Sequence, residues 1–133
     1  MNDNAKYPLV MLIDDNELDI FINKKLMETE NFASRLITHS SAQSALDYLK
    51  NNSASPDEIP TIIFLDIMMP GMDGFGFLDE FGKLDASIKK KARIVMLSTS
   101  DSFKDLNRAN QNPYVAKFLN KPLTAAALQA MNV

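Results

Sequence analysis

The sequence predicts an α/β fold in which a doubly wound, five-stranded parallel sheet carries helices on both faces. Short β-branched apolar runs, including LVMLI and TIIFL, have the composition of strands buried on both sides. Segments of helical periodicity separate these runs, and this alternation requires crossover connections between parallel strands. At 133 residues the chain has the length of one domain, and we expect a single domain over 1–133 with no output domain.

The predicted strands are short and are bounded by turn residues such as Pro8 and Pro113. In chain order they cover 9–13, 34–39, 61–65, 93–97 and 115–119. The polar stretch 51–60 is predicted to be a long loop. The lysine-rich stretch ASIKKKA is predicted to be a second loop, which leads into the fourth strand.

The predicted helices carry apolar residues at 3.6-residue spacing, and Ser41 and Thr124 are suitable N-caps for the second and the last. The first helix, at 17–30, is predicted to bury one stripe made of Leu18, Phe21, Ile22 and Leu26. The third helix is carried by Phe77, Leu78 and Phe81. The markedly polar fourth helix, at 102–111, is predicted to bury only Phe103, Leu106 and Ala109.

Composition excludes several classes of function. The absence of cysteine excludes disulfides, thiolate metal sites and thiol nucleophiles. A net charge of −3, with no basic face, argues against nucleic-acid binding. We expect no secretory leader, because the segment MNDNAKYPLV lacks the charged and apolar pattern of one, and no membrane span, because no apolar stretch approaches the length of one. We therefore expect a cytoplasmic protein with no nucleic-acid or membrane partner.

Acidic, hydroxyl and lysine side chains lie at the ends of four predicted strands: Asp14 and Asp15, Asp66, Ser98, and Lys121. The carboxyl ends of parallel strands meet at one edge of a sheet, where open α/β folds bind their ligands, so we expect these groups to converge. Taken singly, each residue is more often a helix cap or a turn residue. The complete set in chain order indicates a site.

The residue types in this set are suited to phosphoryl transfer. A pocket with several carboxylates is costly unless cations neutralise it, and Mg²⁺ binds carboxylates and phosphate oxygens together. Asp66 is then either a metal ligand or a nucleophile that attacks phosphorus to give an acyl phosphate. The Ser98 hydroxyl and the Lys121 ammonium would donate to the phosphoryl oxygens.

Four segments carry a resemblance to a known family: LVMLIDDNE, TIIFLDIMMPGMDGF, RIVMLSTS and AKFLNKPLT. Over essentially its whole length the chain resembles a receiver domain of a two-component response regulator, and DIMMPGMDG is the most diagnostic segment. The resemblance implies a flavodoxin-like receiver fold with strand order 2-1-3-4-5 and an acceptor site at its switch point.

The resemblance also implies a role for each site residue. Asp66 resembles the phosphoacceptor. Asp14 and Asp15 resemble the acidic pair that binds Mg²⁺, with Asp15 as the direct ligand. Asp66 itself and the backbone carbonyl of Met68 complete the implied protein ligands of the metal.

Three further residues match positions of the family's switch. Ser98 matches the switch hydroxyl, and Lys121 matches the lysine that contacts phosphate. The bond from Lys121 to Pro122 is expected to be cis, as in most such domains. Phe118 lies at the position of the switch aromatic, and it lacks the hydroxyl of a tyrosine.

The implied function is that of a single-domain response regulator. It would accept a phosphoryl group on Asp66 from a sensor histidine kinase or a histidine phosphotransfer protein. Phosphorylation would then switch a partner-binding face formed by the polar fourth helix and the neighbouring strand. The protein would catalyse only its own phosphorylation and dephosphorylation, and a monomer is expected before phosphorylation. Neither the Met68 side chain nor Ser100 can orient an attacking water strongly, which predicts a long-lived aspartyl phosphate.

Three alternatives remain open. A Mg²⁺-dependent phosphatase that forms an aspartyl phosphate generally needs a second Asp two residues after the nucleophile, where this chain has Met68. A flavin carrier would need a phosphate-binding loop after the first strand, and the DDNE segment there would repel phosphate. A receiver-like adaptor that is never phosphorylated is disfavoured because every acceptor-site residue is present.

Overall fold

The computed structural model of the chain describes residues 4–99 and 103–133. It contains a five-stranded parallel sheet in the order β2-β1-β3-β4-β5, which confirms the predicted fold and strand order. The strands are β1 (Tyr7–Ile13), β2 (Ala33–His39), β3 (Ile62–Asp66), β4 (Arg93–Ser98) and β5 (Val115–Asn120).

Helices connect the strands. At the start of most of these helices, the side chain of the preceding residue accepts a hydrogen bond from a backbone N–H of the first turn. The helices are α1 (Glu17–Thr29), α2 (Ala42–Asn51), α3 (Gly74–Phe81), α4 (Ala86–Lys91), α5 (Phe103–Asn110) and α6 (Ala125–Ala130). The expected N-caps Ser41 and Thr124 are confirmed, and Asn16 caps α1. None of the helices in the described ranges is both long and apolar enough to cross a bilayer.

The core forms two layers, one on each face of the sheet. Alternate residues of each central strand enter opposite layers: Met11 and Ile13 pack on one side, and Val10 and Leu12 on the other. The first layer is completed by α2, α3, α4 and α5, and the second by α1 and α6. Both faces of the three central strands are therefore buried, and the carboxyl edge of the sheet lies between the two layers.

The structure corrects both loop predictions. ASIKKKA forms α4, because Asp85 caps it and Ile88 is fully buried, and its lysines lie in the last turn where the helix dipole favours cations. The stretch predicted as a loop at 51–60 includes the last residue of α2 and a 3-10 helix, Pro56–Glu58. The Tyr48 hydroxyl anchors this segment by donating to the Glu58 carbonyl at 2.7 Å.

Two burial predictions are wrong. In α1, Leu18, Phe21 and Ile22 are 64%, 59% and 50% exposed, and only Leu26 of the predicted stripe is partly buried. The helix buries Asn23 and Met27 instead. Apolar residues occur around much of α1, so periodicity alone did not select the buried face. Phe103, predicted to be buried, is 80% exposed, and the predicted start of its helix at 102 lies outside the described residues.

Candidate functional site

The carboxyl ends of four strands lie side by side, as expected from the topology. Asp66 is the last residue of β3 and pairs in register with Leu97 of β4, so Ser98 at the end of β4 is one residue further along the same edge. The backbone N–H of Lys121, just after β5, donates to the Ser98 carbonyl at 2.8 Å. Asp14 follows β1 directly. The predicted site residues therefore belong to one edge of the sheet.

Three carboxylates form a compact cluster at this edge. Asp14, Asp15 and Asp66 each offer a carboxylate oxygen, and these oxygens lie within 4.8 Å of one another. Asp14 and Asp66 are buried, whereas Asp15 is exposed. Hard oxygen donors at this spacing suit a divalent cation such as Mg²⁺, with room for water on the exposed side. The donor set fits the metal that the resemblance implied.

Lys121 is the cation that the structure places among these carboxylates. Its Nζ donates to Asp14 Oδ2 at 2.8 Å and to Asp19 Oδ2 at 3.0 Å, and it lies 3.5 Å from Asp66 Oδ1. Burial lowers the pKa of Lys121, but the hydrogen bonds to Asp14 and Asp19 outweigh this effect, and the pKa lies above its ordinary value. The side chain is therefore a fixed positive charge.

One carboxylate oxygen of Asp66 has partners in the structure, and the other has no hydrogen-bond donor among the described residues. Its Oδ1 accepts the Met68 N–H at 3.3 Å and faces Lys121, and none of the residues at 4–99 and 103–133 hydrogen bonds to its Oδ2. The pKa of Asp66 is raised from 3.8 to about 6, mainly because the carboxyl group is buried. The charge of Lys121 opposes this rise, and the charge of Asp14 adds to it. The ionised carboxylate is therefore costly in this pocket, and a bound cation would lower that cost.

The remaining predicted site residues differ in their burial. Ser98 is buried, and Phe118 in β5 is half-buried against the layer formed by α2 to α5. The Met68 side chain is 66% exposed, and the Lys121–Pro122 bond is cis, as expected. Ser100 lies outside the described residues.

Two glycines shape the loop after Asp66. Gly71 has φ of 76°, a left-handed conformation that glycine adopts without strain. Gly74 begins α3 so close to the end of β3 that a Cβ there would lie 2.9 Å from the Ile67 Cα and 3.0 Å from the Asp66 carbonyl oxygen. The small residue at 74 thus allows α3 to pack directly against the end of β3.

Sequence reasoning missed Asp19. An acidic residue in the first turn of a helix has an ordinary explanation in the helix dipole, and nothing local distinguishes Asp19 from Glu17 in the same turn. Its pairing with Lys121 joins residues 102 positions apart in the chain. Only the tertiary structure shows it.

The fold and the pocket together define the class of protein: a doubly wound α/β domain with an acidic, lysine-containing pocket at the switch point of its sheet. The chain belongs to the response regulator receiver domain family, whose model matches residues 10–132.

Individual relatives agree with this assignment. A two component response regulator from Cytophaga hutchinsonii, of known structure, is 30% identical with a TM-score of 0.87, covering 94% of this chain and 93% of that one. The probable methanogenesis regulatory protein FilR2 of Methanothrix harundinacea is 28% identical over 87% of this chain and 73% of that protein. Hybrid signal transduction histidine kinase L of Dictyostelium discoideum is 26% identical over 90% of this chain but only 7% of the kinase.

Proposed function

We propose that this receiver accepts a phosphoryl group from a phosphohistidine onto Asp66 with the help of Mg²⁺. The observation that carries the proposal is the arrangement of Asp66: a buried carboxylate with Lys121 near one oxygen, the other oxygen without a hydrogen-bond donor among the described residues, and two more carboxylates close by. This arrangement provides a nucleophile, a metal site and a phosphate-binding cation in one pocket.

In the proposed reaction, the carboxylate oxygen of Asp66 attacks phosphorus in line with the leaving nitrogen of the donor's imidazole. The O–P bond forms as the P–N bond breaks, and the imidazole keeps the electron pair and takes a proton from solvent. Asp14, Asp15, Asp66 and the Met68 carbonyl would hold Mg²⁺, which screens the charge of the phosphoryl oxygens when bound. Lys121 supplies a second positive charge for the same oxygens.

The phosphorylated state would be detected through Ser98 and Lys121. A phosphoryl group on Asp66 offers new acceptors to the Ser98 hydroxyl and the Lys121 ammonium. Ser98 ends β4 and Lys121 directly follows β5, the two strands that α5 connects. Movement of either group would be transmitted to α5 and β5, where Phe118 is half-buried and therefore has room to change its packing. We propose this α5–β5 face as the one that changes its affinity for a downstream protein.

Intact mass spectrometry tests the acceptor. The protein is incubated with phosphoramidate, with and without Mg²⁺, and the mass is followed over time. We expect one phosphate-sized gain that requires Mg²⁺ and is lost in Asp66→Asn. Asp73→Asn is the matched control, because Asp73 is an exposed cap of α3 in the same loop and its variant should be labelled like the wild type. Labelling of Asp66→Asn would refute the assignment.

The exposed Met68 side chain supports a slow loss of the phosphoryl group. At 66% exposure it stands at the rim of the pocket and has no group that binds and orients water strongly. After removal of phosphoramidate, we expect the labelled wild type to lose phosphate more slowly than Met68→Asn, whose amide can position water. Equal rates in the two proteins would show that residue 68 does not control hydrolysis.

The proposed donor docks on the exposed side of α1. Leu18, Phe21 and Ile22 form an apolar stripe there, and Ile22 also lines a cleft of about 220 Å³ that contains Lys121. The stripe is thus continuous with the acceptor pocket. A partner that delivers a phosphohistidine to Asp66 must cover this surface, and an amphipathic helix that carries the histidine has suitable chemistry.

Comparing phosphoryl transfer from phosphoramidate with transfer from a histidine kinase separates the docking of a protein donor from the chemical step. We expect the triple variant Leu18→Ala, Phe21→Ala, Ile22→Ala to react with phosphoramidate at the wild-type rate. Transfer from an autophosphorylated histidine kinase core that labels the wild type should be at least about tenfold slower, since a few centrally placed residues commonly supply most of an interface's binding energy. Phe103→Ala, which removes an exposed aromatic side chain from α5, is the control. Unchanged kinase transfer in the triple variant would exclude α1 as the docking surface.

A further inference from the structure

Lys121 has one carboxylate partner that belongs to neither the proposed metal site nor the acceptor. Two of its three N–H donors are taken by Asp14 and by Asp19, at 2.8 and 3.0 Å. Asp66 is left at 3.5 Å, beyond the usual length of a charge-assisted hydrogen bond. In the unphosphorylated protein, the lysine is therefore bound more closely to Asp19 of α1 than to Asp66.

Asp19 lines a cleft together with a buried amide side chain, that of Asn23. Asp19, Asn23 and Lys121 line the cleft of about 220 Å³ between α1 and the segment that follows β5. Asn23 lies one helical turn after Asp19 and is only 6% exposed, and its side chain hydrogen bonds to none of the residues at 4–99 or 103–133. Residues at this spacing face each other on a helix, so the Asn23 amide can donate to Asp19 if Lys121 leaves.

We propose that Asp19 is a positioning residue that holds Lys121 on the α1 side of the pocket until Asp66 is phosphorylated. Phosphoryl oxygens compete with Asp19 for the same ammonium, and Asn23 becomes the partner of Asp19 when Lys121 moves to them. The proposal rests on the proposed function, since it concerns the state that follows phosphorylation. We call the Asp19–Lys121 ion pair of the unphosphorylated protein the latch. Its strength sets how readily the pocket binds a phosphoryl group.

The test measures binding of beryllofluoride, a phosphoryl mimic, by calorimetry in the presence of Mg²⁺. Asp19→Asn removes the carboxylate that competes for Lys121, so beryllofluoride should bind about fivefold more tightly. A fivefold change corresponds to the loss of an ion pair at the upper end of the range for partly exposed pairs. Asp19→Glu should restore affinity towards the wild-type value. Asn23→Ala removes the alternative donor and should weaken binding.

Controls separate the latch from the general effect of charge. Glu17→Gln removes a negative charge from the same helical turn, and Glu17 makes no ion pair with any residue in the described ranges. Its effect should be clearly smaller than that of Asp19→Asn. In a Lys121→Met background, Asp19→Asn should act no more strongly than Glu17→Gln, because there is no lysine to release.

The outcomes distinguish this proposal from the proposed function. If the wild type binds no beryllofluoride, the acceptor function itself is refuted. If the wild type binds it and Asp19→Asn has the affinity of the wild type or of Glu17→Gln, the latch is refuted and the acceptor function stands. An undiminished effect in the Lys121→Met background would also refute the latch. Unchanged affinity in Asn23→Ala would remove Asn23 from the mechanism.

Discussion

Replacing the carboxylate of Asp66, the proposed acceptor, should stabilise the metal-free protein. Asp66 has a side chain only 7% exposed, and burial raises its pKa from 3.8 to about 6 despite the nearby lysine. A rise of about two pH units corresponds to about 3 kcal/mol at neutral pH. Asp66→Asn removes this cost but keeps a weaker interaction with Lys121, so we expect a net gain of about 1–2 kcal/mol in the free energy of unfolding.

The sign of the effect follows from proton linkage. The folded protein binds the Asp66 proton more tightly than the unfolded chain, because the folded pKa is the higher one. The unfolding free energy of the wild type therefore loses this contribution as pH rises from about 4 to about 6, and the full penalty is present above that window. Asp66→Asn has no such group. Its advantage over the wild type should be near zero at about pH 4 and complete at about pH 8.

Urea unfolding of both proteins at these two pH values, with a chelator present, measures the difference directly. Glu17→Gln is the control, since the exposed Glu17 should change stability by less than about 0.5 kcal/mol. Adding Mg²⁺ should stabilise the wild type more than Asp66→Asn and narrow the gap. A gain that is absent at about pH 8, or equally large at both pH values, would refute the reasoning from a buried, proton-binding Asp66.

Further predictions concern the loop after Asp66 and the packing of α2, and they can be checked by urea unfolding and phosphoramidate labelling. Gly74→Ala should lose about 1–3 kcal/mol and label more slowly, because its Cβ meets backbone atoms at the end of β3; normal stability would contradict this. Gly71→Ala has open space around the Cβ and should cost only the strain of its positive φ, about 1–2 kcal/mol, with labelling unchanged. Tyr48→Phe removes the hydrogen bond to Glu58 and should cost about 1 kcal/mol without slowing labelling; a labelling defect would reveal coupling to the pocket. Leu49→Ala, at a fully buried position of α2, should cost about 2–5 kcal/mol, and a smaller loss would indicate that the core relaxes around the cavity.

Much of the candidate site could be read from local sequence. A buried parallel strand has a recognisable composition, and its last residue lies at the carboxyl edge of the sheet whichever strands are its neighbours. Asp14, Asp66, Ser98 and Lys121 were located in this way, and the structure brings Asp14, Asp66 and Lys121 into direct contact or close proximity. The strand order came from the resemblance, since composition alone does not say which strands are adjacent.

The errors share one physical origin. Apolar spacing shows that a helix has a hydrophobic side but not what covers that side, so Leu18, Phe21 and Ile22 were assigned to the core although they face solvent. The opposite error occurred in α4, where little apolar periodicity led to the prediction of a loop. One buried residue, Ile88, and the cap Asp85 are sufficient for a short helix there.

By itself the sequence determined the five strands, most of the helices, the edge of the sheet that carries the candidate site, and the family of the chain, because these depend on residue type and on spacing along a strand or a turn. The tertiary structure alone decided which side of α1 is exposed and which carboxylates share Lys121. The Asp19–Lys121 pair depends on how α1 and the end of β5 are placed on the same sheet, and no interval in the sequence encodes a distance between two groups that meet only after folding.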